Sequence, residues 1–275
     1  MKRNHIALLF ILANLFIVSC SKMDTLFNNG ERITVYPEVE QPFHVVSLYN
    51  NVNVNLVQDD NPHLELTCPK NLIDRIDFNF KGDTLIIKNL NEYNWLRSYD
   101  YSIDLTVYYD SLREIHYASI GSLTCEDPIK GYRQQHIDTI GFVIDSTGIE
   151  IDTIGVEIDT NLRQSFTLRI NEGSGDIDLN FNCDVLKTVF SNGTSKVTLR
   201  GSAGYGEHYL KSYGTIHAET LNSNIVQVLS ESTNDIYVWA CSQLIVKIFS
   251  IGNVYYKGQP WINPSIEGEG RLIKM

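Results

Sequence analysis

Two acidic residues beside a run of small residues form the stretch of the sequence whose chemistry is most suggestive. Residues 171–181 read NEGSGDIDLNF, so the small residues 173–175 precede Asp176 and Asp178. Bare backbone N–H groups in such a turn can hold a phosphate, and the two carboxylates can bind calcium. The carboxylates can also act in acid–base chemistry beside a basic residue such as Arg200. A simple chain corner with outward, solvated acids needs only the small residues.

Five later segments share the form of this stretch and favour the chain corner. Each has a small-residue turn and then an apolar-x-apolar pair, whose first members, 18 to 20 residues apart, are Ile177, Val197, Ile216, Ile236, Val254 and Leu272. The residue after each of these positions changes freely, from Asp178 to Thr198, His217, Tyr237, Tyr255 and Ile273. A ligand site would depend on those side chains, whereas a corner depends only on the backbone and the buried pair.

The fixed spacing predicts the fold class. Apolar residues alternate with a period of two, and β-branched and aromatic residues are frequent, which is typical of strands. Repeats of 18–20 residues are too short for the crossover helix of a βαβ unit. We therefore expect an all-β chain that forms a single-stranded, right-handed parallel β-helix, a solenoid with coils of about 18–20 residues.

The N-terminus predicts export and a lipid anchor. Residues 1–19 hold a short basic segment and an apolar run that are typical of a signal peptide. The end of this run, FIVSC, resembles a lipobox, which implies cleavage before Cys20 and acylation of Cys20. The expected partner is then a membrane, reached through the N-terminal lipid. We expect an outer-membrane lipoprotein that faces either the periplasm or the cell surface.

The remaining chain divides into four segments by pattern. A tether over 20–40, with an edge strand at 33–36, precedes an N-terminal β region over 41–125. An insert with a seven-residue repeat covers 126–165, and the β-helical repeats cover 166–275. The candidate strands of the N-terminal region are 43–48, 52–57, 64–68, 85–90, 101–109 and 115–117, with a helical turn at 71–76.

A family resemblance rests on several of these segments. The strand VNVNLVQ, the later DTLIIKN and the serial turns that end in NVYYKGQPWI and GEGRLIKM resemble the auto-transporter adhesin head GIN domain family of Bacteroidetes lipoproteins. The resemblance covers roughly 43–275. It implies adhesion, and it implies neither a reaction nor any catalytic residue.

Charge and motif content exclude several classes of function. The formal net charge of −11 disfavours nucleic acid and anionic lipid headgroups as partners. The sequence has no metalloprotease, nucleophile-elbow or phosphate-loop motif, so we expect no catalytic residue, no metal and no cofactor. The repeats allow His208 and His217 to lie on neighbouring coils, but lone histidines in β-rich chains are more often surface or satisfied core residues.

The cysteines leave the disulfide question open. Cys68, Cys125, Cys183 and Cys241 have three possible pairings, while small buried thiols are the simpler interpretation.

The seven-residue repeat over 138–161 has Asp and Gly at fixed positions, but it offers too few oxygens for a calcium site. Its Asp-Thr and Asp-Ser pairs make good turns. They also resemble the O-glycosylation acceptor of exported Bacteroidetes proteins. The candidate acceptors are Thr25, Thr84, Ser111, Thr139, Ser146 and Thr153.

Four aromatic residues stand in the polar stretch 91–101, namely Tyr93, Trp95, Tyr99 and Tyr101. They are candidates for binding a glycan or a protein ligand, or they cap the open end of the core. Trp239 and Trp261 are expected to pack within or against the coils.

These observations predict a non-enzymatic, lipid-anchored protein of the cell envelope that acts as an adhesin or as a surface scaffold for binding. The alternative is a carbohydrate-active or carbohydrate-binding β-helix that acts on polysaccharide.

Overall fold

The computed structural model describes residues 30–92, 101–139 and 156–275. These residues form one curled, mixed sheet with a single short 3₁₀ helix, which confirms the all-β prediction. The described elements are β1 Arg32–Val35, β2 Val45–Asn50, β3 Asn53–Gln58, β4 His63–Pro69, the 3₁₀ helix Lys70–Arg75, β5 Ile76–Lys81, β6 Thr84–Asn89, β7 Asp104–Tyr109, β8 Glu114–Ser119, β9 Leu123–Ile129, β10 Tyr132–Thr139, β11 Val156–Gly173, β12 Ile177–Phe190, β13 Lys196–Leu210, β14 Thr215–Ser230, β15 Ile236–Ile248, β16 Val254–Lys257, β17 Trp261–Ile266 and β18 Leu272–Lys274. Within the described ranges, no helix has the length and apolar character needed to cross a membrane.

The sheet differs from the predicted parallel β-helix because part of its pairing is antiparallel. The pairs β1–β4, β4–β7, β5–β6 and β10–β11 are antiparallel. A short connection explains the β5–β6 pair, because Gly82, at a φ of 60°, turns β5 directly into β6. A two-residue turn reverses the chain and so favours an antiparallel partner, whereas a parallel partner needs a longer return path.

The strands form two hydrogen-bonded ladders that share β12, β13, β14 and β15. Ladder A runs in the spatial order β4, β7, β3, β9, β12, β13, β14, β15, β16 and β18. Ladder B runs in the order β5, β6, β2, β8, β11, β12, β13, β14, β15 and β17. The first half of each of β12 to β15 lies in ladder A and the second half in ladder B, so these strands curl around the core.

The spatial order is not the chain order in the N-terminal region. Strand β2 lies between β6 and β8 in ladder B, and β3 lies between β7 and β9 in ladder A. The β2–β3 segment is therefore placed between strands that follow it in the chain.

The register of ladder A in the C-terminal half follows the spacing of the sequence. Ile177 pairs with Val197, Val197 with Ile216, Ile216 with Ile236, Ile236 with Val254, and Val254 with Leu272. The first five of these side chains are at most 1% exposed. Each stacks on its neighbours between the ladders, and full burial of such a side chain contributes about 1.5–3 kcal/mol.

The corners between ladder B and ladder A are built on close backbone contacts. A Cβ atom on Gly173 would lie 2.2 Å from the carbonyl oxygen of Ser119, and one on Gly175 would lie 2.2 Å from that of Gly121. Real Cβ atoms do not approach a carbonyl oxygen so closely, so the small residues are needed for the corners to stack. The stretch 171–181 is therefore a chain corner.

Most of the predicted strands of the N-terminal region are present with shifted ends, and the helical turn is present as the 3₁₀ helix. The sequence does not predict strands β5 and β9, because β5 alternates only weakly and β9 contains Pro128. Strands β10 and β11 include the two ends of the seven-residue repeat and pair from Tyr132 with Ser165 to Thr139 with Val156. Residues 140–155 lie outside the described residues.

Candidate functional site

The outer face of ladder A carries the two acidic residues of the stretch NEGSGDIDLNF. Asp176 is exposed in the corner, and its carbonyl oxygen accepts a hydrogen bond from the Leu123 N–H at 2.9 Å. Asp178 is half-buried on β12, and Arg200 of β13 donates from Nε to its Oδ1 at 2.7 Å. This surface ion pair ties two neighbouring strands together and leaves Asp178 a poor calcium ligand or catalytic base. No group of three or more His, Cys, Asp or Glu side chains able to hold a metal ion occurs among the described residues.

Further along the same face, three rings form a stacked row across three strands. The centroids of His217 and Tyr237 are 4.7 Å apart with an interplanar angle of 9°, and those of Tyr237 and Tyr255 are 4.9 Å apart with an angle of 11°. These distances equal the spacing of paired strands, because the three residues occupy the same register position on β14, β15 and β16. We call His217, Tyr237 and Tyr255 the aromatic row.

A second row runs beside the first, two residues further along the strands. Trp239 follows Tyr237 on β15, Lys257 follows Tyr255 on β16, and the two are paired in register. The Lys257 Nζ lies 4.0 Å from the centroid of the Trp239 ring, which is a cation–π contact. Val238 between the rows is fully buried, so both rows stand on the outer face.

The aromatic row was not recognised in the sequence, although the signal was present. His217, Tyr237 and Tyr255 are three of the residues that replace Asp178 in successive repeats. The variation at this position argues against a ligand site at Asp178, but the shared register position also places large rings in direct contact. Trp239 does pack against the strands as expected, but Trp261 is 64% exposed, contrary to expectation.

A cleft opens in ladder A where β3 and β9 separate. The two strands pair only at Val54 and Asn55, and beyond this point a cleft of about 720 Å³ is lined by mostly polar residues from three distant segments. Its lining residues are Gln58, Asp59, Asp60, Asn61, Asp127, Pro128, Lys130 and Asn182. These segments meet only through the non-sequential pairing, so no sequence pattern predicts the cleft.

The structure does not bring His208 and His217 together. His217 belongs to the outer face of ladder A, where its Nδ1 lies 3.3 Å from Oε1 of Glu219. His208 points inward from ladder B and is 1% exposed. Neither ring nitrogen of His208 has a hydrogen-bond partner within the described residues, and burial lowers its pKa to about 4.

The four cysteines considered for disulfides are all free thiols. Cys68, Cys125 and Cys183 are buried, whereas Cys241 is exposed. Burial raises the pKa of Cys68 to about 11 and those of Cys125 and Cys183 to about 12. These three thiols are small core side chains, which is the simpler of the two interpretations of the sequence.

Several predicted site residues lie outside the described residues, namely Cys20, Thr25, Tyr93, Trp95, Tyr99, Ser146 and Thr153. Tyr101 is half-buried and packs against the core. Thr84 begins β6, directly after Asp83, whose carboxylate accepts from Arg113 at 2.7 Å. Ser111 is half-buried in the turn before β8, and Thr139 ends β10.

The chain matches one family model and is similar to several solved structures. A family model described as "Putative auto-transporter adhesin, head GIN domain" matches residues 42–260. No curated protein sequence matches the chain. A crystal structure titled as a putative adhesin from Bacteroides fragilis is similar with a TM-score of 0.70 and 19% identity, over 89% of this chain and 97% of that one.

Two structures from Parabacteroides are also similar. One from Parabacteroides distasonis, titled as a putative lipid binding protein, has a TM-score of 0.58 and 18% identity over 90% of this chain and 98% of its own. One from Parabacteroides merdae, titled as a putative adhesin, has a TM-score of 0.59 and 13% identity over the same shares. At these identities the likeness shows a common fold. Because the family model covers most of the sequence, the chain belongs to the putative auto-transporter adhesin, head GIN domain family.

Proposed function

We propose that this protein is a non-enzymatic adhesin of the cell envelope that binds its ligand through the outer face of ladder A. The observation that carries the proposal is the aromatic row, which places partly exposed rings side by side on a rigid sheet. Aromatic side chains on a rigid support bind sugars and protein partners at little entropic cost. The family and its structural relatives support an adhesive role.

Binding is favoured over catalysis by the way in which the charged groups of this face are paired. Asp178 is engaged by Arg200, and Glu219 lies beside His217. A glycosidase instead needs two carboxylates that face one scissile bond, one of them held protonated. The alternative function, an enzyme that acts on polysaccharide, therefore has the weaker support.

The anchor is part of the proposal and rests on the sequence of residues 1–20. We propose that acyl chains on Cys20 hold the protein in the outer membrane, with the sheet exposed to the periplasm or the cell surface. Each buried CH₂ of an acyl chain contributes about 0.8 kcal/mol, so two or three chains give a stable anchor. Cys20→Ser should release the protein from the membrane fraction, and protease treatment of whole cells should report which side it faces.

The finer description of the fold is also a proposal. We propose that 166–275 winds as a right-handed parallel β-helix. It is supported by parallel pairing at a spacing of 18–20 residues from β12 to β18. A crystal structure of the chain would test this winding.

O-glycosylation is a further proposal, at one or more of the six Asp-Ser or Asp-Thr sites. Thr84 and Ser111 support it because both lie next to turns and are partly exposed. Intact-mass analysis of protein from the native host should give a mass above that of the polypeptide with its lipid. A mass equal to polypeptide plus lipid would contradict this proposal.

The adhesin proposal is tested with the full chain carrying Cys20→Ser, which cannot be acylated. We expect it to bind selected glycans or cell surfaces on an array and to release no reducing sugar from any polysaccharide that it binds. Release of sugar would support the enzyme instead, and absence of any binding would contradict adhesion. Nucleic acid should not bind, because the formal net charge is −11.

A further inference from the structure

We propose that the aromatic row of His217, Tyr237 and Tyr255 contacts an extended, neutral polysaccharide that runs across the strands of ladder A. This inference rests on the proposed adhesive function and names the ligand class and the side chains that contact it. It follows from the spacing of the rings, from the second row beside them and from the charges around them.

The stacking of the row decides how a ligand can approach. With interplanar angles of 9° and 11°, each ring covers the face of the next, so the rings turn their edges and the tyrosine hydroxyls towards solvent. The ligand must therefore offer hydrogen-bonding groups rather than a flat apolar surface. Contacts recur at intervals of 4.7 and 4.9 Å, close to the spacing of successive rings in an extended, β-linked polysaccharide. One sugar unit can then meet one strand.

The second row limits the position of the polysaccharide on one side of the aromatic row. Trp239 and Lys257 lie two residues further along β15 and β16, which places them about 6–7 Å from the first row. That distance is close to the width of one sugar ring. The Lys257 ammonium donates hydrogen bonds, and Trp239 supplies apolar surface against which the C–H groups of a sugar can pack.

The charges around the aromatic row favour a neutral polysaccharide as the ligand. Burial raises the pKa of Tyr237, and the neighbouring Asp235 and Glu219 raise it further, so its hydroxyl keeps its proton and can donate. The same carboxylates repel an anionic polymer, as does the formal net charge of −11. A neutral polysaccharide meets no such repulsion.

The experiment uses the full chain with Cys20→Ser and measures Kd by calorimetry. The probes are cello-, laminari-, xylo-, manno- and chito-oligosaccharides of two to six units, with polygalacturonate as an anionic probe. We expect at least one neutral series to bind, with affinity that rises about tenfold from two to three units and then levels off, because the row spans three strands. Polygalacturonate should bind more weakly than this series.

Variants assign the binding to the row. Tyr237→Ala and Tyr255→Ala should each weaken binding about tenfold or more, and Tyr237→Phe, which keeps the stack, should weaken it less. The matched control is Tyr209→Ala, which removes a half-buried tyrosine from the outer face of ladder B, where its hydroxyl lies 3.3 Å from Glu231. The control should bind as the parent chain does.

Four results would overturn the inference: no binding to any neutral series, affinity that does not depend on length, tighter binding of polygalacturonate, or unchanged binding after both tyrosine substitutions. Tyr237→Phe controls for an effect of the alanine substitutions on folding, since it keeps the ring and removes only one hydroxyl group. If the tyrosine variants still bind on the array or to cell surfaces, the assignment of binding to the aromatic row is wrong, while the adhesin proposal stands. If the parent chain binds nothing at all, both proposals fail.

Discussion

The backbone of Gly173 passes over Ser119 so closely that a Cβ atom at position 173 would lie 2.2 Å from the Ser119 carbonyl oxygen. Ser119 ends β8 and Gly173 ends β11, so this contact joins strands more than fifty residues apart in the chain. Gly173 also has a φ of 127°, which L side chains rarely adopt. The corner therefore requires glycine for two independent reasons.

Gly173→Ala should lower the free energy of unfolding by about 3 kcal/mol, since it adds both the clash and the backbone strain. Urea unfolding followed by circular dichroism measures the loss. Gly82→Ala is the matched control, because Gly82 has a φ of 60° but nothing within 4 Å of the added Cβ. It should cost only about 1 kcal/mol. Equal losses for the two variants would contradict the role assigned to the close contact.

His208 should make the fold sensitive to acid. Its pKa falls to about 4 in the fold through burial, against about 6.5 in an unfolded chain, so the folded state favours the neutral ring. The free energy of unfolding is therefore unaffected by this ring above pH 6.5. It falls by about 3 kcal/mol in all as the pH falls towards 4, because the folded state disfavours the proton that the unfolded chain takes up. His208→Leu has no such group, so its melting temperature should rise relative to that of the parent chain as the pH falls from 6.5 to 4.

The control for His208 is Thr188→Val, which removes a buried hydroxyl from the residue paired with His208 but adds or removes no titrating group. The difference in melting temperature between Thr188→Val and the parent chain should not vary with pH. If the difference in melting temperature between His208→Leu and the parent chain did not vary with pH, the imidazole of His208 would not be held neutral by the fold.

The cysteines should differ sharply in their reaction with thiol reagents. In the chain with Cys20→Ser, Cys241 should be alkylated rapidly in the native state because it is exposed. Cys68, Cys125 and Cys183 should react only after unfolding, since burial both shields them and raises their pKa. Mass spectrometry counts the labels. Disulfide-linked peptides before reduction would contradict the free thiols.

Pro264 should limit pairing at the end of ladder B. It lies within β17, whose only partner among the described strands is β15, and proline cannot donate to a new partner strand. Pro264→Val should raise concentration-dependent self-association in analytical ultracentrifugation. Asn263→Val, one residue earlier on the same strand, is the control and should sediment as the parent chain does. Identical behaviour of Pro264→Val and the parent chain would contradict this role.

The C-terminal half could be predicted in register from the sequence, because its information is local. Each repeat there pairs with the next repeat along the chain, so the spacing from Ile177 to Leu272 states directly which residues become neighbours. The family resemblance rested on the same pattern and is confirmed.

The N-terminal half could not be predicted to the same depth. The placement of β2 between β6 and β8 depends on which exposed strand edge best accepts the segment, and strands with similar alternation offer similar edges. The cleft follows from that placement, since Gln58 and Asp127 meet only because β3 lies beside β9.

The sequence by itself determined the strand-forming alternation, the corners at small residues and the shared register position of His217, Tyr237 and Tyr255. All of these depend on contacts between adjacent repeats. Only the tertiary structure decided which rings face outward together, which acids are neutralised by a neighbour and where the sheet opens into a cleft. Those properties depend on how the two ladders curl around one core, and that arrangement is set by the summed packing of residues far apart in the chain.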